Sequence, residues 1–433
     1  MEASLTESVQ QLVRPGKCVD IYYPDPETSH KQCFRTSQNT RYVQDFTNLG
    51  QGSNTFVIPP NNGVQDMILS MGLPPGALTN LAICRGWAYA LIKQISFRYG
   101  GSSQYFLTGQ QVLQAALSQA ANGASRDALL SLGGNFAAGS DFATQQFGYV
   151  WLPLPHCIPT AEGKLPPLPS DLLTQQIMVT IELYPLSQIF SQGNAGGLGT
   201  IPSSLAVGRF QVQQVLLEDQ GNALARRVDM TSHALSYPVT FRQQEVAIQV
   251  AGGASITPAT AGTQTVTLTG FRSGEVKEIH CWLTADSLNT PTPAAGAVQN
   301  PFAWLPLENV EMTYAGEVYA RGDFNSMQLL NLVNGRIPSQ VNDVIVTAGT
   351  VPAATGSSDG WTVLPFGQTY YSPTAMSMYT AGKSITNGIV NLKFTIPKLQ
   401  NGAVLGTSTF TLHVSYIYNA VLTFSQGTVD YVF

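Results

Sequence analysis

The sequence contains few charged residues. Only 11% of its 433 residues are Asp, Glu, Lys or Arg, less than half the share of about 25% that is usual for globular proteins. The formal net charge is −5, and Lys and Arg form no cluster. Proteins that bind nucleic acid directly need a basic stripe that displaces counterions. The composition therefore argues against direct nucleic-acid binding. Low charge is typical of proteins that cover their surface with copies of themselves, and also of secreted β-rich proteins.

Cysteine and long apolar runs are also scarce. The five cysteines are widely spaced and form no CxxC pair: Cys18, Cys33, Cys84, Cys157 and Cys281. This pattern is typical of reduced thiols in a cytosol-like compartment, although a bridge between Cys18 and Cys33 is left open. No apolar run approaches the ~18 residues of a membrane span. Residues 1–17 lack the apolar stretch of a signal peptide.

The residues that carry chemistry form no recognisable site. The five histidines are scattered, without an HxH or HExxH motif: His30, His156, His233, His280 and His413. His156 is adjacent to Cys157, but a metal there would need distant partners. No GxSxG motif and no convincing pair of carboxylates is present. We therefore predict no catalytic, cofactor-binding or metal site, and no enzymatic activity.

Three short motifs have a functional and a purely structural interpretation. Arg321-Gly322-Asp323 is an integrin-type tripeptide, but Gly322 is also suited to turn a strand into a helix, and we favour the turn. Residues 381–384 resemble a phosphate-binding loop, yet Ser377 stands where the first glycine of that loop belongs, which excludes nucleotide binding. Residues 193–199 are rich in glycine but follow no βαβ pattern, which favours a simple loop.

Short apolar segments separated by turn signals dominate the chain after about residue 50. Several of them alternate between apolar and polar residues, as in 177–183 and 239–250, which predicts strands with one face in a core. Helical patterns are confined to residues 108–119, with Thr108 as the N-cap, 220–233 and 325–332. Many strands and few helices predict an all-β sandwich or barrel. The polar residues 1–50 are predicted to form an N-terminal arm.

The two halves of the chain share a sequence pattern. Residues 95–101 (ISFRYGG) precede a tyrosine and a helix, and residues 310–316 (VEMTYAG) do the same 215 positions later. Residues 179–181 and 394–396 are similar at the same separation. We therefore predict a duplicated β-domain. The first copy, with a linker helix, spans residues 51–232, and the second spans 233–433.

The order of these segments resembles that of a known family. The segments are a strand and glycine hairpin at 95–101, a helix at 108–119, a proline-bracketed tyrosine strand at 147–155, a Leu-Pro segment at 165–169, a junction at 212–241 and a closing strand at 416–427. They are similar, in this order, to the double jelly-roll major capsid proteins of large icosahedral DNA viruses, of the chlorella-virus and iridovirus type. The resemblance covers about residues 55–433.

The resemblance implies a fold of two tandem eight-stranded jelly rolls with short helices in the connections. It implies a homotrimer that forms a pseudo-hexagonal capsomer and tiles an icosahedral shell. The partners would be neighbouring capsomers and minor capsid or penton proteins, with an internal membrane left open. The protein would be a late structural protein, made in the host cytoplasm and located in the virion. Residues 286–301 and 347–360 would form outward loops, and the arm would lie under the shell or between neighbours.

Two other functions fit parts of the sequence. A carbohydrate-binding or adhesive β-sandwich protein, such as a viral spike, would account for the low charge and the loops but not for the duplication. An enzyme of the cupin or glycosidase type would need histidine clusters or paired acids, which the sequence lacks.

Overall fold

The structure is a computed structural model. It describes residues 36–60, 63–74, 81–83, 86–100, 104–118, 149–156, 158–159, 167–170, 173–192, 200–217, 235–243, 246–250, 263–285, 304, 307–323, 326–327, 329, 361–367, 369–372, 377–380, 382–385, 389–395, 410–425 and 427–433. Strands dominate this part of the chain. In the described residues, no helix is long and apolar enough to span a membrane.

The strands and helices follow each other in chain order. The first half contains β1 (Thr36–Asp45), β2 (Gly52–Ile58), β3 (Gly63–Gly72), β4 (Leu81–Ile83), α1 (Trp87–Leu91), β5 (Ile92–Arg98), β6 (Gln104–Leu107), α2 (Gly109–Ser118), β7 (Tyr149–Leu154), β8 (Ile158–Pro159), β9 (Ile177–Leu183), a 3-10 helix (Leu186–Gln188), β10 (Phe190–Gln192) and β11 (Val207–Leu217). The second half contains β12 (Leu235–Arg242), β13 (Val246–Val250), β14 (Thr263–Leu268), β15 (Glu275–Ala285), β16 (Glu308–Tyr314), β17 (Glu317–Gly322), β18 (Thr362–Pro365), β19 (Thr369–Ser372), β20 (Ser377–Thr380), β21 (Lys383–Ser384), β22 (Val390–Thr395), β23 (Phe410–Ser425) and β24 (Thr428–Val432).

Two four-stranded antiparallel sheets form the first roll. Their strand orders are β1-β11-β3-β7 and β2-β9-β5-β6. Strand β9 shows why they pack, since its residues alternate between buried and half-buried and so place one apolar face in a core. The ring of Phe56 in one sheet stacks on that of Phe210 in the other, with centroids 4.7 Å apart. The core of the roll lies between these two faces.

The second roll repeats this arrangement strand for strand. One sheet has the order β14-β22-β16-β17, and the other contains the path β18-β15-β23-β12. The second of these sheets is larger, because β8, β13, β21 and β24 also pair with its strands. The prediction of two tandem eight-stranded jelly rolls is therefore confirmed.

The repeated hairpins occupy equivalent positions in the two rolls. Residues 95–98 lie in β5 and residues 310–314 in β16, each the third strand of its sheet and each paired with the strand that follows it. Gly100 and Ala315, at matching positions of the two hairpins, both have positive φ angles, of 47° and 53°. The duplication predicted from the sequence is confirmed by strand order and by local backbone conformation.

The structure differs from the sequence-based expectations in two places. The predicted arm of residues 1–50 contains strand β1, which pairs with β11 at the edge of the first roll. The apolar segment 239–250 is divided between β12 and β13, and both strands pair with β23. The division at residue 232, the helix at 220–233 and the outward loops lie outside the described residues and stay predictions.

Candidate assembly surfaces

Helix α2 lies between β6 and β7 of the first roll and begins at a capping box. The Thr108 hydroxyl accepts a hydrogen bond from the Gln111 backbone N–H at 3.3 Å, and the Gln111 side-chain oxygen accepts one from the Thr108 N–H at 3.1 Å. These reciprocal bonds satisfy two amides that a helix start otherwise leaves unpaired. They confirm Thr108 as the N-cap of α2.

The glutamines of α2 bind the second roll. Gln111 donates from Nε2 to the Gln243 carbonyl at 2.9 Å and to the Ser415 hydroxyl at 2.8 Å. The Gln110 side-chain oxygen accepts a hydrogen bond from the Trp282 indole N–H at 3.0 Å. Ser415 and Trp282 lie on neighbouring strands, β23 and β15. One face of α2 is therefore docked on the outer face of the second roll's larger sheet.

A buried polar chain continues this contact. Arg242 Nη1 donates to the side-chain oxygen of Gln114 and to Nδ1 of His280, both at 3.2 Å. His280 Nε2 lies 3.0 Å from a carboxylate oxygen of Glu278. A guanidinium can only donate, so His280 Nδ1 accepts from Arg242, and the Nε2–H of His280 donates a hydrogen bond to the Glu278 carboxylate. Burial lowers the pKa of Arg242, and the negative charge of Glu278 opposes that effect.

Other contacts join the rolls beside α2. Tyr105 of β6 packs against Phe241 of β12, with ring centroids 5.4 Å apart. Strand β8 pairs with β12, and the Thr174 backbone N–H donates to the Gly427 carbonyl at 2.9 Å. Hydrogen bonds, a short ladder and aromatic packing thus connect the two rolls within one chain.

The corresponding sheet of the first roll carries exposed apolar side chains on its outer face, although Ser70 and Gln211 at its centre are buried. The large apolar side chains Val43 on β1 and Tyr149 and Trp151 on β7 are 46%, 53% and 42% exposed. Arg209 and Asp45, on paired strands of the same sheet, form an ion pair at 2.7 Å. The hydrogen bond from Arg209 lowers the pKa of Asp45. This face therefore combines exposed apolar side chains with polar residues and an ion pair.

The tripeptide at residues 321–323 forms the turn that we favoured. Strand β17 ends at Gly322, and the Asp323 carboxylate accepts a hydrogen bond from the Ser326 backbone N–H at 2.7 Å. Hydrogen bonds from the Ser326 side chain and backbone lower the pKa of Asp323. The Met327 N–H donates to the Asp323 carbonyl at 3.0 Å. The Arg321 side chain is exposed, with Nε 3.3 Å from a carboxylate oxygen of Glu311. Asp323 thus caps a helical turn.

The remaining motif residues have structural roles. The Gly382 N–H donates to the Glu275 carboxylate at 2.6 Å, and the Lys383 ammonium lies 5.6 Å from the centre of the Tyr319 ring. The imidazole of His413 is 2.8 Å from the Thr284 hydroxyl and stacks on Trp282.

One of the five cysteines lies in the described part of the chain. Cys281 is a buried free thiol, and burial raises its pKa. The other four cysteines, His30, His233 and residues 193–199 lie outside the described part of the chain. Within that part, no group of three His, Cys, Asp or Glu side chains could hold a metal ion.

The contact between the rolls is not evident from the sequence, from which no functional residue was predicted. The available signal was weak: Gln110, Gln111 and Gln114 interrupt an otherwise apolar helix. Such a pattern equally fits a solvated helix face. The partner Arg242 stands at the end of a strand more than a hundred residues away, and no sequence spacing indicates that pairing.

Comparison with known proteins finds the same fold in viral capsids. No protein-family model matches the sequence, and no curated protein sequence matches it. Among solved structures, VP54 of PBCV-1, fitted into a reconstruction of the virophage Sputnik, superposes with a TM-score of 0.59 at 13% identity, over 92% of this chain and 97% of the other. The Sputnik virophage structure gives 0.55 at 12% identity, over 92% and 88%. The Faustovirus major capsid protein gives 0.53 at 9% identity, over 90% of each chain. This chain has the double jelly-roll fold of the major capsid proteins of large icosahedral DNA viruses.

Proposed function

We propose that this chain is a major capsid protein that trimerises into pseudo-hexagonal capsomers, which tile an icosahedral virion shell. The observation that carries the proposal is the repetition of one eight-stranded roll, in the same strand order, within a single chain. Three copies present six similar rolls, so a three-fold assembly produces a nearly six-fold tile. Closed symmetry also leaves few free surfaces from which fibres could grow.

Composition and surface support the same role. A chain with 11% charged residues and with exposed apolar side chains such as Val43 and Trp151 on one sheet is suited to contact copies of itself. We infer a structural, non-enzymatic protein located in the virion. Its partners are neighbouring capsomers and minor capsid or penton proteins. Because the net charge is −5, we infer that other components of the virion contact the genome.

The mass and shape of the purified protein test this proposal. Three copies of the 46.4 kDa chain give a particle of about 139 kDa. We expect that mass by light scattering at micromolar concentration, and a hexagonal outline in negative-stain images. A well-folded monomer under the same conditions would overturn the capsid role, because an obligate assembly buries over about 2,000 Å² and does not dissociate there.

A carbohydrate-binding role is the second candidate. Exposed aromatic rings such as Tyr149 and Trp151 offer an apolar face and a polar edge, as sugar-binding surfaces do. A glycan array probed with the wild type and with Trp151→Ala tests this role. Binding that depends on Trp151 in a monomeric protein would favour it over the capsid role.

A further inference from the structure

His280 lies inside the contact between the two rolls and is 2% exposed. Its Nδ1 is 3.2 Å from Nη1 of Arg242, which also donates to the side chain of Gln114 on α2. Its Nε2 is 3.0 Å from the carboxylate of Glu278. Gln114, Arg242 and Glu278 are buried as well. The imidazole therefore belongs to a buried polar chain that connects the helix of the first roll to the sheet of the second.

This arrangement requires a neutral imidazole. A guanidinium offers only N–H donors, so Nδ1 of His280 must keep its lone pair to accept from Arg242. A proton on Nδ1 would place a second N–H opposite that of Arg242 and a second positive charge beside the guanidinium. The hydrogen bond would be lost, and the two like charges would repel each other with little screening by solvent.

The network has no spare acceptor with which to absorb that change. Within the described residues, Arg242 Nε and Gln114 Nε2 are buried without a hydrogen-bond partner. Arg242 Nη1 is held by two acceptors, the Gln114 side-chain oxygen and His280 Nδ1. Protonation would turn the second of these acceptors into a further donor. Buried donors without acceptors are unfavourable, so the guanidinium and the side chain of Gln114 would have to move.

The charges around His280 lead to the same conclusion. Two charged groups face it, Arg242 from β12 and Glu278 from its own strand, and they balance each other while the imidazole is neutral. Tyr105 of β6 interacts electrostatically with Arg242 and is uncharged below about pH 10. A proton on His280 would therefore leave one buried positive charge without a counter-charge. The other groups around the network are uncharged: Ser415 on β23, Val363 on β18, Gln111 and Gln114 on α2, and Trp361, whose ring stacks on the imidazole.

We propose that His280 makes the contact between the rolls sensitive to acid: a proton taken up from solvent at Nδ1 breaks the bond to Arg242 and loosens α2 from the second roll. The contact is complete above about pH 6.5, where a histidine in an opened contact is neutral, and it weakens as the pH falls below that value. This inference goes beyond the proposed function and does not depend on it, because both rolls belong to one chain.

Calorimetry of the full chain at about pH 7.5 and about pH 5, on either side of the ordinary pKa of histidine, tests the proposal. We expect the wild type to unfold in one transition at the higher pH and in two at the lower pH. A single transition should return when the pH is raised again. His280→Gln keeps an acceptor and a donor but takes up no proton, so it should unfold in one transition at both pH values.

His156→Asn is the matched control, because His156 is a buried histidine of the first roll whose ring nitrogen contacts the Leu154 carbonyl and not the second roll. It should show the same change from one transition to two as the wild type. If His156→Asn keeps a single transition at about pH 5, the acid response belongs to the core of the first roll and the proposal is wrong.

Glu278→Gln supplies a second test that leaves His280 in place. The amide oxygen can still accept from Nε2–H, but the negative charge that compensates Arg242 and the added proton is gone. The rolls of this variant should therefore separate at a pH about 1 unit higher than those of the wild type. Calorimetry in small pH steps measures that shift, and it remains informative if His280→Gln does not fold.

Three results would overturn the proposal. The first is a single transition in the wild type at about pH 5, because the contact would then hold with either protonation state of His280. The second is a His280→Gln variant that still changes from one transition to two with acid, since another group would then sense the pH. The third is a Glu278→Gln variant that separates at the same pH as the wild type or at a lower one.

Discussion

The Tyr99 hydroxyl donates a hydrogen bond to the backbone carbonyl of His156 at 2.5 Å, and this bond ties the first repeated hairpin to the chain that follows β7. Tyr99 is fully buried, and its ring lies in the core of the first roll. Tyr314, the matching residue of the second roll, is only partly buried. The repeat therefore preserves the tyrosine while its surroundings differ between the rolls.

This difference predicts unequal costs for the same substitution. Tyr99→Phe leaves the buried His156 carbonyl without its donor, so the free energy of unfolding should fall by about 1–3 kcal/mol. Tyr314→Phe removes a hydroxyl from a partly exposed ring and should change it by less than about 0.5 kcal/mol. Urea titration of both variants measures the difference. Equal losses would show that the bond to His156 contributes nothing specific.

His156 also predicts how stability depends on pH. Burial lowers the pKa of this histidine below its ordinary value of 6.5, so the folded protein keeps it neutral where the unfolded chain takes up a proton. Its contribution to stability is complete above about pH 6.5 and is lost as the pH falls below that value. Protonation of this one histidine can lower the free energy of unfolding by up to about 1.4 kcal/mol for each unit that the pH falls.

The substitution His156→Asn isolates that contribution, since the backbone carbonyl that Tyr99 needs is retained. The free energy of unfolding between pH 5 and 7 should fall less steeply in the variant than in the wild type. Other titrating groups contribute to both proteins and cancel in the difference. Identical slopes would mean that His156 takes up protons equally in the folded and unfolded states.

Strands could be predicted where apolar and polar residues alternate along the sequence. Residues 177–183 alternate in sequence and form β9 with the predicted bounds. Strand β1 was missed because its sequence, TSQNTRYVQD, is polar, and its place in the sheet depends on pairing with β11 some 170 residues later. Edge strands of this kind have no apolar periodicity of their own.

The contact between the rolls was not predictable for a related reason. Gln114 and Arg242 have no spacing that indicates a pair, and the apolar pattern of a helix shows which face is buried by its own domain, not which polar residues meet a second domain. The duplication was predictable because Tyr99 and Tyr314 follow similar strands at a fixed separation. The fold was therefore within reach of the sequence, and the surfaces that join its parts were not.

The buried Arg242 predicts a large effect at this contact. Arg242→Met removes the donor to Gln114 and His280 and leaves the buried Glu278 without its compensating charge. Breaking a buried charged network in this way costs on the order of 3 kcal/mol. Because the same bonds join the rolls, the variant should also unfold in two steps in calorimetry.

Arg209→Met is the matched control, because Arg209 forms its ion pair with Asp45 on the surface. Exposed pairs are screened by solvent, so this variant should keep a single transition at the wild-type midpoint. If Arg242→Met behaved in the same way, the network could not be what couples the two rolls.

The turn of the second repeated hairpin offers a stabilising substitution. Ala315 and Gly316 connect β16 to β17, with φ angles of 53° and 82°, so both central residues are left-handed, as in a type I′ turn. Alanine in that conformation is strained by roughly 1–2 kcal/mol, whereas asparagine adopts it more readily. Ala315→Asn should therefore raise the free energy of unfolding by about 0.5–1 kcal/mol.

Gly316→Ala tests the same backbone argument, but here the substitution should lower the free energy of unfolding. A Cβ atom added at Gly316 would meet nothing within 4 Å, so the cost is conformational and not steric, and stability should fall by about 1 kcal/mol. Urea titration of the two variants measures both effects. If Gly316→Ala is as stable as the wild type, the turn can change type. Ala315→Asn should then give no gain in the free energy of unfolding, because asparagine is favoured only while the left-handed turn is kept.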